Sequence, residues 1–179
     1  MRRRWLAGLG LVAAALCRPA AADGFDIAVS ASAANAEHVR AYGVIGGWTH
    51  PAPLWQGRRW RLALRHELEL AVWQVPRARD LLEVGYSPVF VLTPVQGGTG
   101  AVFYVEGAIG MALLSHTRVS PRRELSTAYQ FSDMLGLGWR WGADGQAALG
   151  LRIRHVSNAD IKRPNPGMNF AQLVYRRRF

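Results

Sequence analysis

The stretch from Gln146 to Phe179, QAALGLRIRHVSNADIKRPNPGMNFAQLVYRRRF, decides how the rest of the chain is read. From Ala147 the odd positions run Ala147, Leu149, Leu151, Ile153, His155, Ser157, and the even ones Gln146, Ala148, Gly150, Arg152, Arg154, Val156. Alternation with a period of two predicts a strand with one apolar face and one small or cationic face. The apolar row ends in His155 and Ser157, so their side chains share a face. Beyond a polar loop with Pro164, Pro166 and Gly167 the alternation resumes, with Asn169, Ala171, Leu173 and Tyr175 on one row before Arg177 and the terminal Phe179.

Earlier segments repeat the pattern. Between Trp60 and Trp73 the even row is Trp60, Leu62, Leu64, His66, Leu68, Leu70, Val72, and the odd row holds Arg61, Arg65, Glu67 and Glu69. A helix would scatter those leucines around its circumference. Residues 81–92 set Leu82, Val84, Tyr86, Pro88 and Phe90 against Glu83, Gly85 and Ser87. Residues 101–113 set Phe103, Val105, Ile109 and Met111 against Tyr104, Glu106 and Gly110, and residues 127–142 set Leu135, Leu137, Trp139 and Trp141 against Gly136, Gly138 and Arg140. Residues 24–34 and 38–48 supply weaker strands. Gly97–Gly100 and Ala143–Gly145 mark turns, and residues 49–59 and 115–126 read as loops.

Residues 1–22 stand apart. Arg2, Arg3 and Arg4 precede an apolar run from Trp5 to Cys17, and Ala20, Ala21 and Ala22 offer small residues for cleavage, as in a secretory signal peptide. Bulky Leu16 argues against lipidation of Cys17. The remaining residues 23–179 form one domain of 157 residues with 18 basic and 12 acidic side chains, once the four arginines of the leader are set aside. Cys17 is the only cysteine, so the exported domain cannot rest on disulfides.

Eight alternating segments of about the 9–11 residues that a tilted membrane strand needs predict an all-β, eight-stranded antiparallel transmembrane barrel. The polar rows carry both signs of charge (Arg65, Glu67, Glu69, Glu83, Glu106, Arg140, Arg152, Arg154), as expected where paired side chains fill a narrow lumen. A soluble lipocalin-like carrier would reverse the faces, and periodicity alone does not separate the two. The leader, the terminal Phe179 and tryptophans near strand ends (Trp48, Trp55, Trp60, Trp73, Trp139, Trp141) favour the outer membrane. With both termini periplasmic, the outward loops fall near 35–37, 74–80, 114–126 and 158–168 and carry Arg77, Arg79, Arg118, Arg122, Arg123, Lys162 and Arg163. Those cations would meet the phosphorylated sugars of lipopolysaccharide. No nucleic-acid partner is expected, since much of the cationic excess lies in the leader or on rows that face acids.

In that orientation His155 and Ser157 sit at the outer leaflet and face lipid, where a polar pair is costly unless it has partners or a task. A His can serve as base for a Ser hydroxyl that attacks an ester carbonyl. Neighbours at i and i+2 are roughly 7 Å apart along the backbone, so their tips are within mutual reach. An interfacial pair that merely caps the apolar belt is the plainer reading of this spacing.

His155-Val156-Ser157-Asn158-Ala159, followed by Ile161-Lys162-Arg163-Pro164-Asn165-Pro166-Gly167, closely resembles the HxSNA…K.PN.G signature of the PagL-like outer-membrane lipid A 3-O-deacylases. Phe131-Ser132-Asp133 with Leu135-Gly136-Leu137-Gly138 also looks like that family's penultimate hairpin. The resemblance covers about the last 50 residues. It implies an eight-stranded outer-membrane barrel that removes the acyl chain ester-linked at the 3-position of lipid A. Ser157 would be the nucleophile, His155 its base, and Asn158 with the following backbone N–H groups would stabilise the oxyanion. Lys162, Arg163 and Asn165 become candidate substrate-binding residues. No metal or cofactor is implied; lipopolysaccharide and outer-membrane lipid are the expected partners, and a second copy of the barrel is carried as a candidate.

Two positions depart from the pattern. Where the family has a Glu, twelve residues after the Ser, this chain has Asn169, on the outward row of the strand paired with His155. An Asn carbonyl can hold the imidazole tautomer but supplies no charge. Asp160 stands where Gly is usual, and Asp160 and Asp133 are the acids that could stand in for the missing carboxylate. A non-catalytic structural or adhesion barrel that has lost its acid is the alternative, and Asn169 is the feature favouring it.

Overall fold

The computed structural model describes residues 24–76, 78–95 and 101–179. The expected leader, Arg77 and the Gly97–Gly100 turn lie outside the described residues. Eight long strands, β1 (Phe25–Ala34), β2 (Arg40–Thr49), β3 (Trp60–Gln74), β4 (Leu81–Pro94), β5 (Val102–Leu114), β6 (Tyr129–Trp141), β7 (Ala147–Ser157) and β8 (Met168–Arg178), follow one another around an antiparallel meander. Strand β1 then pairs with β8, from Asp26 opposite Arg178 to Ala34 opposite Phe170, and closes the barrel. Closure leaves no long edge unpaired, which a span through lipid requires. Regions read as loops carry short extra pairings. Trp55–Gln56 folds back on Leu62 and Arg61 of β3, and Arg118–Ser120 pairs with Arg123–Glu124. Segments of two or three residues are too short for periodicity to register.

Solvent exposure settles the question of faces. On β7, Leu151 and Ile153 are 54% and 69% exposed, whereas Arg152 and Arg154 are 2% and 5% exposed. Every strand repeats this, with Val29, Val44, Leu70, Val84, Ile109, Leu137, Leu151 and Leu173 all exposed. A continuous apolar wall of this kind needs lipid around it. A soluble carrier with an apolar lumen is ruled out by the same observation.

The lumen is filled in layers. Arg152 donates to both oxygens of Glu67 at 2.9 and 2.8 Å and to Glu106 at 2.6 Å, Arg65 donates to Glu67 at 2.8 Å, and Arg176 bridges Glu67 and Asp26. One level towards the long loops, Arg154 pairs with Glu83 and donates its Nε–H to Ser132 Oγ at 2.7 Å. The third layer is apolar. Val39, Trp73, Leu81, Leu114, Val156, Met168 and Phe170 pack there with Val119 and Leu125 of the charged loop into a small apolar core. Inner rows leave the ionic band near the rim, and loop hydrophobics fold in to cover them.

Trp73 corrects one detail of the sequence reading. It belongs to the inner row with Glu69 and Ala71, is fully buried, packs edge-on against Phe170 at 4.8 Å, and donates its indole N–H to Glu83 at 2.6 Å. The remaining five tryptophans of that set are exposed and all lie at the rim that carries the chain termini. His66 belongs to the outer wall, stacked on Trp48 at 4.9 Å and hydrogen-bonded to Tyr86 Oη at 2.8 Å. Connections 35–39, 115–128 and 158–167, with residues 75, 76 and 78–80, form the opposite rim.

Candidate active site

Strand β7 ends at that far rim with His155 and Ser157 on the outer row. Its neighbours place one residue on each side of His155: Asn169 of β8 and Asp133 of β6 are both its direct cross-strand partners. Ser157, one step further, is opposite Phe131. His155 Nδ1 lies 2.6 Å from Asn169 Oδ1. A carbonyl oxygen only accepts, so this contact assigns the ring proton to Nδ1 and leaves the Nε2 lone pair available. Asn169 is itself tied to the β1–β2 turn, where Asn35 N–H donates to its carbonyl at 2.9 Å and Asn35 Oδ1 accepts from its N–H at 3.3 Å. The contact with Asn169 is the one hydrogen bond of the His155 ring among the described residues. Ser157 is two residues on, on the same row, and is buried, with no hydrogen bond from its hydroxyl to the ring among the described residues.

Residues 158–167 fold back against the His155 ring through Gly167. Immediately after Ser157 the chain turns through two left-handed residues, Ala159 at φ 51° and Asp160 at φ 61°. This conformation is why a glycine suits position 160, and Asp tolerates it better than most residues. The Asp160 carboxylate turns to Arg163 at 3.4 Å and does not serve His155. Gly167, at φ 57°, lies against the imidazole edge, where a Cβ would come 2.9 Å from His155 Cε1.

Asn158 differs from expectation. It is fully buried, and its amide donates one proton to Leu125 O at 3.0 Å and the other to Lys162 O at 2.8 Å. With both protons committed, the side chain holds the loop and has none left for an oxyanion. Its backbone N–H is also taken, by Asn165 Oδ1 at 3.1 Å. That bond fixes the Asn165 amide with Nδ2 unengaged among the described residues. Lys162 and Arg163 are exposed at the loop tip.

Two residues of the 115–128 connection complete the loop's support, one of them Arg123, which was expected to face lipopolysaccharide. Arg123 donates to Gly167 O at 2.7 Å and Pro166 O at 3.2 Å, and Ser126 Oγ donates to Pro164 O at 2.6 Å. The 115–128 connection therefore clamps the segment that covers His155. A charged loop gives no periodic signal for this. Ser115 and His116 also touch, at 3.1 Å, but they are exposed, and Ser115 Oγ accepts from Leu82 N–H at 3.0 Å.

Residues 40–178 match the family model described as Lipid A 3-O-deacylase (PagL). The lipid A deacylase PagL of Bordetella bronchiseptica is 35% identical over 136 residues, covering 74% of this chain and 70% of that protein. The lipid A deacylase PagL of Pseudomonas aeruginosa is 36% identical over 93 residues, covering 52% of this chain and 51% of its own length. A crystal structure of the outer membrane enzyme PagL aligns with a TM-score of 0.77 at 26% identity, over 86% of this chain and 99% of that one. Sequence and fold agree: the chain belongs to the PagL family of lipid A 3-O-deacylases.

Proposed function

We propose that this protein is an outer-membrane lipid A 3-O-deacylase in which Ser157 and His155 carry the reaction and Asn169 orients the base. The observation that carries the reading is the Nδ1–Asn169 contact on the lipid-facing row beside Ser157. It presents Nε2 as base, on a wall that substrate reaches laterally while the lumen is filled. The termini are taken as periplasmic, which sets the site in the outer leaflet, the side that holds lipid A.

Ser157 Oγ attacks the ester carbonyl carbon as its proton passes to His155 Nε2. The tetrahedral oxyanion is stabilised by the Asn165 Nδ2 donor and the Ala159 N–H, which has no acceptor within the protein among the described residues. Collapse breaks the bond to the sugar oxygen, which leaves with the proton from the imidazolium. Water, deprotonated by Nε2, then cleaves the acyl-serine and releases the fatty acid. Lys162 and Arg163, with Arg118 and Arg122 of the neighbouring loop, face the phosphates of the substrate.

Purified protein in detergent, incubated with lipopolysaccharide, is expected to shift the lipid A mass by one 3-hydroxyacyl group and to yield that free acid. An unchanged lipid A spectrum would overturn the reading.

Gly167→Ala tests the cover over the base. The new methyl meets His155 Cε1 at 2.9 Å, and the backbone there is left-handed. A displaced imidazole of this kind is expected to lower kcat on the order of a hundredfold. The unfolding midpoint should fall modestly, since alanine on left-handed backbone costs roughly 1–2 kcal/mol, so turnover is compared below that midpoint. Undiminished turnover would show that the loop does not set the ring.

A further inference from the structure

We propose that the mouth of the barrel at the terminal rim is a binding site for a phosphate oxyanion, held by Arg61, Arg140 and Arg178. These arginines lie at the ends of the inner rows of β3, β6 and β8, with Arg178 opposite Asp26 of β1 and Arg140 opposite Ala148 of β7. Each is half-buried. The ionic layer beneath them is already closed, since Arg65 and Arg176 donate to Glu67, Glu106 and Asp26. Among the described side chains, every ion pair of the lumen is made by Arg65, Arg152, Arg154 or Arg176, and the three at the mouth make none. Arg61 and Arg178 are close enough to Arg140 to repel it. A guanidinium cannot shed its proton to relieve that repulsion, so an anion has to.

Two cavities share Thr49, Gln146 and Arg178 as a common wall. The outer one, of about 630 Å³, adds Arg61, and the inner one, of about 40 Å³, adds Arg140 and Tyr104. Among the described side chains Asp26 is the single acid that lines either, and Arg176 holds it. Tyr104 gives an independent sign. It is 6% exposed and lies across Gly138 and Gly150, where a Cβ would come 2.6 and 2.7 Å from its oxygen. Its hydroxyl makes no hydrogen bond among the described residues, although a buried phenol normally finds a partner. The space it borders is the inner cavity. Guanidinium forks match phosphate oxygens in pairs, which a spherical anion does not offer. The exposed tryptophans of this rim form a girdle, and girdles sit at the depth of lipid headgroups. A phospholipid diester reaching over the rim and a free phosphate ion present the same oxygens. The mouth is at the far end of the barrel from His155, so the anion acts on stability: binding to the folded barrel raises its unfolding midpoint.

The experiment is thermal unfolding, followed by tryptophan emission, of the full protein in phosphate-free dodecyl maltoside micelles. Wild type, Arg140→Gln and Arg178→Gln are compared in two arms. In one, sodium phosphate is titrated against sodium chloride at equal ionic strength. In the other, phosphatidylglycerol is added to the micelles against diacylglycerol of the same chains. Wild type is expected to gain on the order of 5 °C at a hundredfold excess over Kd, saturably. Both variants should lose the gain, and before any anion is added should melt no lower than wild type, because one cation fewer relieves the others. A gain with phosphate alone assigns the free ion, a gain with phosphatidylglycerol alone assigns the headgroup, and a gain in both arms makes the site open to either. Wild type unmoved in both arms overturns the proposal. So does an equal gain in both variants, which is general screening, or a variant that melts lower before anion is added, which assigns its arginine to the wall. Arg61→Gln, at the outer cavity, is the further variant should either of the others fail to refold.

Discussion

Ser157→Ala is expected to bring fatty-acid release below about a thousandth of wild type, with the barrel still folded. The chemistry has no second nucleophile of equal placement. Ser115 touches His116, but that pair is exposed, and the serine oxygen is occupied by Leu82 N–H. Folding should survive because Ser157 closes β7 at its rim, and the main packing of the barrel lies elsewhere, in the ionic layers and the apolar core under the loops. His155→Ala should be nearly as damaging, and the double variant no worse than either single one, because a nucleophile without its base and a base without its nucleophile are equally idle. Gel mobility before and after heating reports the fold, and mass spectrometry of lipid A reports the chemistry. Release that persists undiminished in folded Ser157→Ala would remove the site assignment while leaving the barrel and the family untouched.

The parity of residues 147–157 carried most of what was legible in the sequence. It placed His155 and Ser157 on one row, and the same counting put Asn169 on the outer row of the next strand, where it now meets the ring at 2.6 Å. Parity is blind to which row is inside. Exposure of Leu151 against burial of Arg152 decided that. The same blindness let Trp73 pass as a girdle residue because it lies near a strand end, although its odd position already put it with Glu69. Asn158 was misjudged for another reason. A residue next to a nucleophile looks catalytic in one dimension, but a fully buried amide must satisfy its own protons, and the nearest acceptors were loop carbonyls 33 and 4 residues away in sequence. Arg123 and Gly167 act through tertiary contacts between two irregular loops, and no local pattern encodes those. Asp133 stood between these cases. Its parity with Leu135 and Leu137 was readable, but its pairing with His155 needed the register of β6 against β7.

Glu67→Ala is expected to be the most damaging substitution for the barrel itself. Arg65, Arg152 and Arg176 all donate to this one carboxylate, and Glu106 and Asp26 share the remaining guanidinium protons. Removing it leaves three buried cations around two acids, and breaking a buried pair in this way typically costs about 3–5 kcal/mol. Glu67→Gln keeps the shape and loses the charge, so it should fall between alanine and wild type. Urea unfolding of protein refolded into lipid vesicles, followed by tryptophan emission, measures the difference. Pairing Glu67→Ala with Arg152→Met should recover part of the loss, since a cation without its acid is the larger burden. Equal midpoints for wild type and Glu67→Ala would mean that the ionic layer is hydrated enough to screen itself. The chemistry should respond differently. Below its own unfolding midpoint Glu67→Ala is expected to deacylate at close to the wild-type rate, because the reacting groups stand on the outer wall and touch none of these arginines. Stability inside the barrel and catalysis outside it are separable, and a variant that unfolds early yet turns over normally when folded is the sign of that division.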